Sequence, residues 1–208
     1  FGLLASDMDS TLITIECIDE LADLAGVKHQ VAEITGAAMR GEIDFVESLR
    51  RRVGLLAGLD ESALETVYVQ RLHYNPGASA LVKAAKAAGL RVLLVSGGFT
   101  FFTERVIEDL GMDYHISNEL EVVNGKLTGR ILGDIVDSTV KANALIRHRE
   151  ALRLTPSQTI AIGDGANDLK MLSAAGLSIA YHANPIVAEQ ASIAINHVGL
   201  DGILALFQ

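Results

Sequence analysis

The stretch GLLASDMDSTL, residues 2–12, gives the first clear structural signal of the sequence. Its first residues are mostly apolar and indicate a short, buried strand. The strand then runs into two carboxylates, Asp7 and Asp9, with only Met8 between them. Like charges at this spacing repel each other, and a single carboxylate would be enough to end a strand or to cap a helix. The pair therefore predicts a partner of opposite charge at the end of this strand.

Four later segments also have the pattern of short, buried strands, and helical patterns lie between them. These strands are predicted at residues 90–98, 159–165, 177–181 and 191–196. Helical patterns at 78–88 and 101–110 are each followed by a glycine, which tolerates the left-handed conformation just past a helix. The alternation predicts an α/β protein with a parallel sheet covered on both faces. Ligands of such sheets bind beyond the carboxyl ends of the strands.

Two segments depart from this alternation. Residues 13–71 have only helical patterns, and in one of these Asp44 and Glu47 have the spacing of a capping box. This stretch is too long for an ordinary crossover, so we interpret it as a helical cap inserted into a core of residues 1–12 and 72–208. Further along, Asn124 and Gly125 predict the two-residue turn of a small β-hairpin.

The composition excludes several classes of protein. The 208 residues include 17 basic and 26 acidic ones, and no basic run stands out, so a nucleic-acid partner is not expected. No apolar segment reaches the roughly 18–20 residues that span a bilayer, so we expect no membrane association and a cytoplasmic location. The only cysteine, Cys17, is predicted to be a small buried residue. Because the chain begins with Phe1, we expect it to be a fragment of something longer.

Polar residues follow the predicted strands at several places. Asp7 and Asp9 end the first strand, Ser-Gly-Gly at 96–98 ends the second, and GDGAND at 163–168 follows a later one, while Lys141 begins a helical stretch. Each has an ordinary interpretation alone, as a turn, a helix cap or a solvated charge. In a parallel sheet, however, all of them converge on one edge. The conjunction predicts a single site.

The chemistry that fits this set is phosphoryl transfer. Crowded carboxylates at Asp7, Asp164 and Asp168 favour a hard divalent cation, and sites with few carboxylates suit Mg²⁺. Ser96 and Lys141 offer donors to phosphate oxygens. Mg²⁺ is therefore the predicted cofactor.

The two carboxylates of the first strand have different predicted roles. Asp7 as nucleophile would form an aspartyl-phosphate. Asp9, two residues on, is placed to protonate the leaving oxygen and later to take a proton from the hydrolytic water.

Together, D-x-D-x-T, S-G-G, a distant Lys and G-D-G-x-N-D resemble the four motifs of the haloacid dehalogenase superfamily. The longer strings DMDSTL, VSGGF, NGKLTG and GDGANDLKML resemble one family within it, the phosphoserine phosphatases. The resemblance implies a Rossmann-like core with a helical cap. It also implies Mg²⁺-dependent hydrolysis of O-phospho-L-serine to serine and phosphate, which is the last step of serine biosynthesis.

The resemblance implies a role for each matching core residue. Asp7 matches the nucleophile and Asp9 the general acid and base. The implied metal site consists of Asp7, the backbone carbonyl of Asp9, and Asp164. The implied phosphate ligands are Ser96, Lys141 and the backbone N–H of Gly97. The supporting positions of the motifs are Asn167, which also contacts substrate, Asp168, Gly98 and Thr11.

In the predicted cap, the resemblance implies that Glu16 binds the substrate ammonium and Arg52 the substrate carboxylate. It also implies that Met39 and Phe45 close over the site. Taken alone, Glu16 is an acid favoured at a helix start, and Arg52 belongs to a basic run typical of a solvated face. A zwitterionic amino acid does, however, require one anion and one cation placed apart, and a guanidinium binds a carboxylate in a bidentate manner.

Other functions remain open from the sequence. A phosphotransferase would have the same core residues and pass the phosphoryl group to another alcohol. A signalling receiver domain also takes phosphate on an Asp at a strand end, but a general base at Asp9 and a large cap argue against it. A purely structural helical scaffold would not need the acids at the strand ends. The expected partner is a small-molecule substrate, and a homodimer is left open.

Overall fold

The computed structural model describes residues 1–207 and, of Phe207, only the backbone; the core boundary predicted at residue 208 lies outside the described residues. Its sheet has seven strands in the order β4-β3-β2-β1-β5-β6-β7. All neighbouring strands are parallel except β3 and β4, which form an antiparallel pair. The strands are β1 Leu3–Ser6, β2 Arg91–Phe99, β3 Tyr114–Val123, β4 Lys126–Leu132, β5 Thr159–Gly163, β6 Leu177–Tyr181 and β7 Ile193–Ile195.

Nine α-helices lie within the described residues. Four of them fall between β1 and β2, namely α1 Cys17–Leu24, α2 Lys28–Met39, α3 Phe45–Gly54 and α4 Ser62–Gln70. The other five alternate with the strands: α5 Ala78–Ala87, α6 Thr100–Leu110, α7 Ser138–Ala151, α8 Leu169–Ala174 and α9 Pro185–Gln190. None of the helices in residues 1–207 is long and apolar enough to cross a membrane.

The central strands are buried on both faces, which explains their continuous apolar sequences. Along β1, Leu4 packs into one cluster of buried side chains, while Leu3 and Ala5 belong to a second cluster on the other face. The first cluster includes Leu81 of α5 and Phe102 of α6. The second includes buried residues of α7 and α8. The predicted α/β class with a doubly covered parallel sheet is confirmed.

The hairpin is larger than the sequence indicated and belongs to the main sheet. Asn124 and Gly125 form its turn, with Val123 paired to Lys126, and β3 extends the sheet beside β2. Its tip also meets the segment between α3 and α4, where the N–H of Leu127 donates to Leu59 O at 2.8 Å. The hairpin therefore connects the sheet to the helices that lie between β1 and β2.

Candidate active site

The polar strand ends meet at one edge of the sheet. Ser6, the last residue of β1, is level with Leu94 of β2 and Ile162 of β5. The next residue, Asp7, is tied to β5 by its N–H, which donates to Ile162 O at 3.0 Å. The carboxyl ends of the three central strands therefore surround Asp7, as expected for a parallel sheet.

Lys141 bridges two acids at this edge. Its ammonium is fully buried and donates to Asp7 Oδ1 at 2.6 Å and to Asp168 Oδ1 at 2.8 Å. Burial alone lowers the pKa of a lysine, but the charges of Asp168 and Asp7 outweigh it and raise the pKa of Lys141. Lys141 lies in the first turn of α7, whose start is capped by Asp137, which accepts from the N–H groups of Thr139 and Val140. Lys141 is therefore a fixed cation between two carboxylates.

Asp168 anchors the turn that follows β5. Its Oδ2 accepts from the N–H groups of Asp164 at 3.2 Å and Gly165 at 3.1 Å. A Cβ atom on Gly163 would lie 2.6 Å from the Asp168 carboxylate, so only glycine fits there. Because both oxygens of Asp168 accept hydrogen bonds, this residue acts as a support for Lys141 and the turn.

Asp7, Asp164 and Asp168 each offer a carboxylate oxygen within 4.8 Å of the other two. Burial, with the charge of Asp168 as the next cause, raises the pKa of Asp7 well above its usual value and that of Asp164 to about 7. One oxygen of Asp164 accepts from Thr11 Oγ1 at 2.8 Å. Asp7 and Asp164 each keep a second oxygen to which no donor among residues 1–207 is hydrogen-bonded. Two crowded carboxylates with free oxygens fit a hard divalent cation.

Asp9 lies beside this group and is held by the start of α1. Its Oδ1 accepts from the N–H of Cys17 at 3.2 Å. Burial raises the pKa of Asp9 to about 6, so the carboxyl can both give and take a proton near neutral pH. A Cβ on Gly98 would lie 2.8 Å from Asp9 Oδ2, so the backbone of this glycine approaches the acid closely.

Residues 96–98 lie in the last part of β2, where the register with β3 shifts between Val95 and Phe99, and this irregular segment is built around Ser96 and a residue that was not predicted. Ser96 is buried and its Oγ accepts from the N–H of Gly98 at 2.8 Å. Asn118 of β3 donates to Gly97 O and accepts from the N–H of Val136, both at 2.8 Å. This buried amide joins the irregular segment of β2 to the residues before α7. A polar residue inside an otherwise ordinary hairpin strand was the available signal.

A cavity of about 730 Å³ opens over this edge. Of the predicted site residues, ten line it: Asp7, Asp9, Glu16, Met39, Phe45, Arg52, Gly97, Gly98, Asp164 and Asn167. The other four lie behind the lining, namely Thr11, Ser96, Lys141 and Asp168. Met39 is at the rim of the cavity, with 78% of its surface exposed. The ring of Phe45 packs close to Gly97, since a Cβ atom on this glycine would lie 3.2 Å from the ring.

Further lining residues were not predicted. They include Ser48 of α3, Ser138 of α7, and Asn184 and Ile186 around the start of α9. Asn184 and Ile186 follow β6, whose end was not recognised as part of the site. An Asn-Pro pair just after a predicted strand was the signal for it.

One acidic and one basic side chain, Glu16 and Arg52, line the part of the cavity formed by the helices between β1 and β2. Glu16, immediately before α1, is exposed to the open cavity, and partial desolvation there, followed by the charge of Asp9, raises its pKa to about 7. Arg52 of α3 is half-buried, and burial lowers its pKa. Its Nε donates weakly to Ser48 O at 3.4 Å, and no carboxylate among residues 1–207 forms an ion pair with it.

The fold and the acids at the strand ends define a class of protein. Residues 4–173 match the family model of the haloacid dehalogenase-like hydrolases, and the chain belongs to this family.

Within this family, the chain is similar to phosphoserine phosphatases. The chain is 58% identical to a phosphoserine phosphatase of Polaromonas sp., over 99% of this chain and 89% of the relative. The structure resembles a substrate-bound phosphoserine phosphatase with a TM-score of 0.92 and 40% identity, over 99% of this chain and 97% of the other. It also resembles the unliganded structure of a probable phosphoserine phosphatase from Vibrio cholerae, with a TM-score of 0.89 and 46% identity. This match with the Vibrio cholerae structure covers 99% of this chain and 63% of the other.

Proposed function

We propose that this protein is a phosphoserine phosphatase, which hydrolyses O-phospho-L-serine to L-serine and phosphate. The observation that carries the proposal is one cavity with two chemically different ends. Asp7 and Asp9 lie at the sheet edge, and Glu16 and Arg52 line the part formed by the inserted helices. The first end suits a phosphoryl group, and the second suits a molecule with both an ammonium and a carboxylate. The relatives described above support the same substrate.

In the first half-reaction, a carboxylate oxygen of Asp7 attacks phosphorus and the bond from phosphorus to the serine oxygen breaks. Asp9, as the carboxylic acid, gives its proton to that oxygen, so serine leaves as the alcohol. The pKa of about 6 for Asp9 supports this role, because an appreciable fraction is protonated near neutral pH. Lys141 keeps Asp7 in place and stabilises charge that develops on the phosphoryl oxygens.

In the second half-reaction, water attacks the phosphorus of the aspartyl-phosphate. Asp9, now a carboxylate, takes a proton from this water, and the bond from phosphorus to Asp7 breaks to release phosphate. The backbone N–H of Gly97 donates to the phosphoryl oxygens, while Ser96 Oγ fixes this segment of β2 by accepting from the N–H of Gly98.

We propose Mg²⁺ as the cofactor, held by carboxylate oxygens of Asp7 and Asp164 and by the backbone carbonyl of Asp9. The free carboxylate oxygens of Asp7 and Asp164 support this set, while Asp168 is engaged with Lys141 and the turn. When bound, Mg²⁺ neutralises charge on the phosphoryl oxygens and on the crowded acids.

The helices of residues 13–71 are proposed to act as a cap on the core of residues 1–12 and 72–207. In this arrangement Glu16 binds the substrate ammonium, Arg52 the carboxylate, and Met39 and Phe45 exclude water over the site. Asn167 contacts the substrate from the turn after β5. The cytoplasmic location expected from the composition stays a prediction, and so does the homodimer that the sequence left open.

The test is phosphate release from O-phospho-L-serine, sugar phosphates and p-nitrophenyl phosphate, each with and without Mg²⁺. Selective, Mg²⁺-dependent turnover of phosphoserine is expected. Turnover that ignores phosphoserine would contradict the roles of Glu16 and Arg52. Loss of the phosphoryl group to an added alcohol in preference to water would instead identify a phosphotransferase. Asp7→Asn is expected to abolish turnover while leaving the fold intact.

A further inference from the structure

Ser10 has a backbone conformation that is unusual for serine. Its φ is 58°, in the left-handed region that L residues other than Asn and Asp rarely adopt. Only three other non-glycine residues within 1–207 share this feature, and one of them, Asn124, belongs to the hairpin turn. Strained positions of this kind persist where the surroundings hold them, and they cluster at functional sites.

The loop around Ser10 is held by backbone hydrogen bonds. The N–H groups of Leu12 and Ile13 both donate to Met8 O, at 2.8 and 3.1 Å. The N–H of Ser10 donates to Ile15 O at 3.2 Å. Ser10 is thereby tied to the segment that directly precedes α1, and its side chain is brought to the residue that follows Ile15.

That residue is Glu16, and Ser10 Oγ donates to its Oε1 at 2.6 Å. Glu16 occupies the N-cap position of α1, yet its side chain accepts no capping hydrogen bond. The N–H of Cys17 is instead satisfied by Asp9 Oδ1. The carboxylate of Glu16 is therefore free of helix capping and is directed by Ser10, while its residue lines the cavity.

We propose that Ser10 is a positioning residue for specificity, which orients the Glu16 carboxylate toward the ammonium of the substrate. The inference rests on the proposed function. Ser10 holds Oε1, which leaves Oε2 to the ammonium, and the hydrogen bond limits the rotamers of a long side chain at the cavity wall. Without the hydroxyl, Glu16 has to be ordered by the substrate itself, and this ordering weakens binding.

The experiment compares Ser10→Ala and Ser10→Gly with the parent, using Mg²⁺-loaded protein. Ala removes the hydroxyl and keeps the unfavourable backbone conformation, whereas Gly removes the hydroxyl and relieves it. Both variants are expected to lower kcat/KM for phosphoserine about ten-fold, mainly through KM, as for the loss of one hydrogen bond to a charged group. A Gly variant with the parental KM would overturn the proposal.

A double-mutant cycle with Glu16→Ala separates positioning from a structural role. If Ser10 acts through Glu16, Ser10→Ala has little further effect once the carboxylate is gone, about two-fold or less. An equal loss in both backgrounds would refute the inference.

Matched substrates add a second readout. The substrate 3-phosphoglycerate carries a hydroxyl in place of the ammonium, so Ser10→Ala is expected to reduce the preference of the enzyme for phosphoserine over this analogue. An unchanged preference would contradict the proposal. A parent protein that does not prefer phosphoserine would mean instead that the proposed function has failed, so the two failures are distinguishable.

Discussion

Replacing Lys141 by methionine is expected to destabilise the fold strongly, and more so at neutral than at acidic pH. Methionine keeps the length and the apolar part of the side chain but removes the ammonium. The change leaves the carboxylates of Asp7 and Asp168 buried without their cation, from which they now accept at 2.6 and 2.8 Å. Removing one partner of a buried ion pair costs about 3–5 kcal/mol.

This cost translates into a large shift in urea unfolding. With a slope of about 2 kcal/mol/M for a domain of this kind, the midpoint is expected to fall by about 1.5–2.5 M. As pH falls, the orphaned carboxylates of the variant take up protons and the penalty shrinks, so the midpoints of parent and variant converge. Added Mg²⁺ should also restore part of the loss, because the cation replaces the missing positive charge beside Asp7.

Lys170→Met is the matched control. Lys170 is an exposed lysine that donates to Thr139 Oγ1 at 2.8 Å, and its replacement is expected to change the midpoint little. Equal midpoints for the two variants would refute the reasoning. A loss at Lys141 that did not vary with pH would also refute it, because the penalty is assigned to ionised carboxylates.

Three other variants test separate parts of the account. Arg52→Ala is expected to raise KM for phosphoserine about ten-fold or more and to change KM for p-nitrophenyl phosphate little. Arg51→Ala, on the exposed face of the same helix, should leave both KM values unchanged. Equal effects of Arg52→Ala on the two substrates would show that Arg52 is an ordinary solvated residue. Burial favours the neutral acid at Asp113, but hydrogen bonds from neighbouring cations and an amide outweigh it and lower its pKa, so Asp113→Ala should cost about 1–3 kcal/mol at neutral pH. This stabilisation is present above about pH 4 and is lost as pH falls through the lower pKa of the folded state. The free energies of unfolding of parent and variant should therefore converge in acid, and a difference that stays constant with pH would contradict the assignment. Ser48 Oγ is buried and has no hydrogen-bond partner among residues 1–207, so Ser48→Ala should not lower Tm; a fall of more than about 3 °C, or about 1 kcal/mol, would show that the hydroxyl has a structural partner.

Much of the sheet could be predicted because buried parallel strands have continuous apolar sequences. The strand at 177–181 has the predicted bounds, while the last predicted strand, 191–196, is shorter and covers Ile193–Ile195. The half-exposed pattern at this edge of the sheet carries a weaker signal. Helix ends were predicted well where glycine marks them, as at Gly111, whose φ is 74°.

The capping box at Asp44 is only half formed. Asp44 accepts from the N–H of Glu47 at 2.8 Å, but Glu47 bonds Arg51 at 2.6 Å. The spacing is compatible with both arrangements, and the charge one turn further along the helix decides between them.

The contacts between distant segments could not be predicted. The amide of Asn118 joins Gly97 of β2 to Val136, and these three residues are far apart in the sequence. The hairpin β3–β4 was predicted as a small hairpin with no stated packing, and in the structure it extends the main sheet and contacts Leu59. A turn motif specifies local geometry alone, whereas the surface on which a hairpin packs depends on the rest of the fold.

The aspartyl-phosphate mechanism is tested by detecting a phosphoryl group on Asp7 during turnover. Protein mixed with O-phospho-L-serine and Mg²⁺ would be quenched in acid, digested and analysed by mass spectrometry. One phosphoryl group is expected on the peptide that contains Asp7, and none in Asp7→Asn. Turnover of phosphoserine without this modification, or with the same modification elsewhere in the chain, would contradict an aspartyl-phosphate mechanism at Asp7.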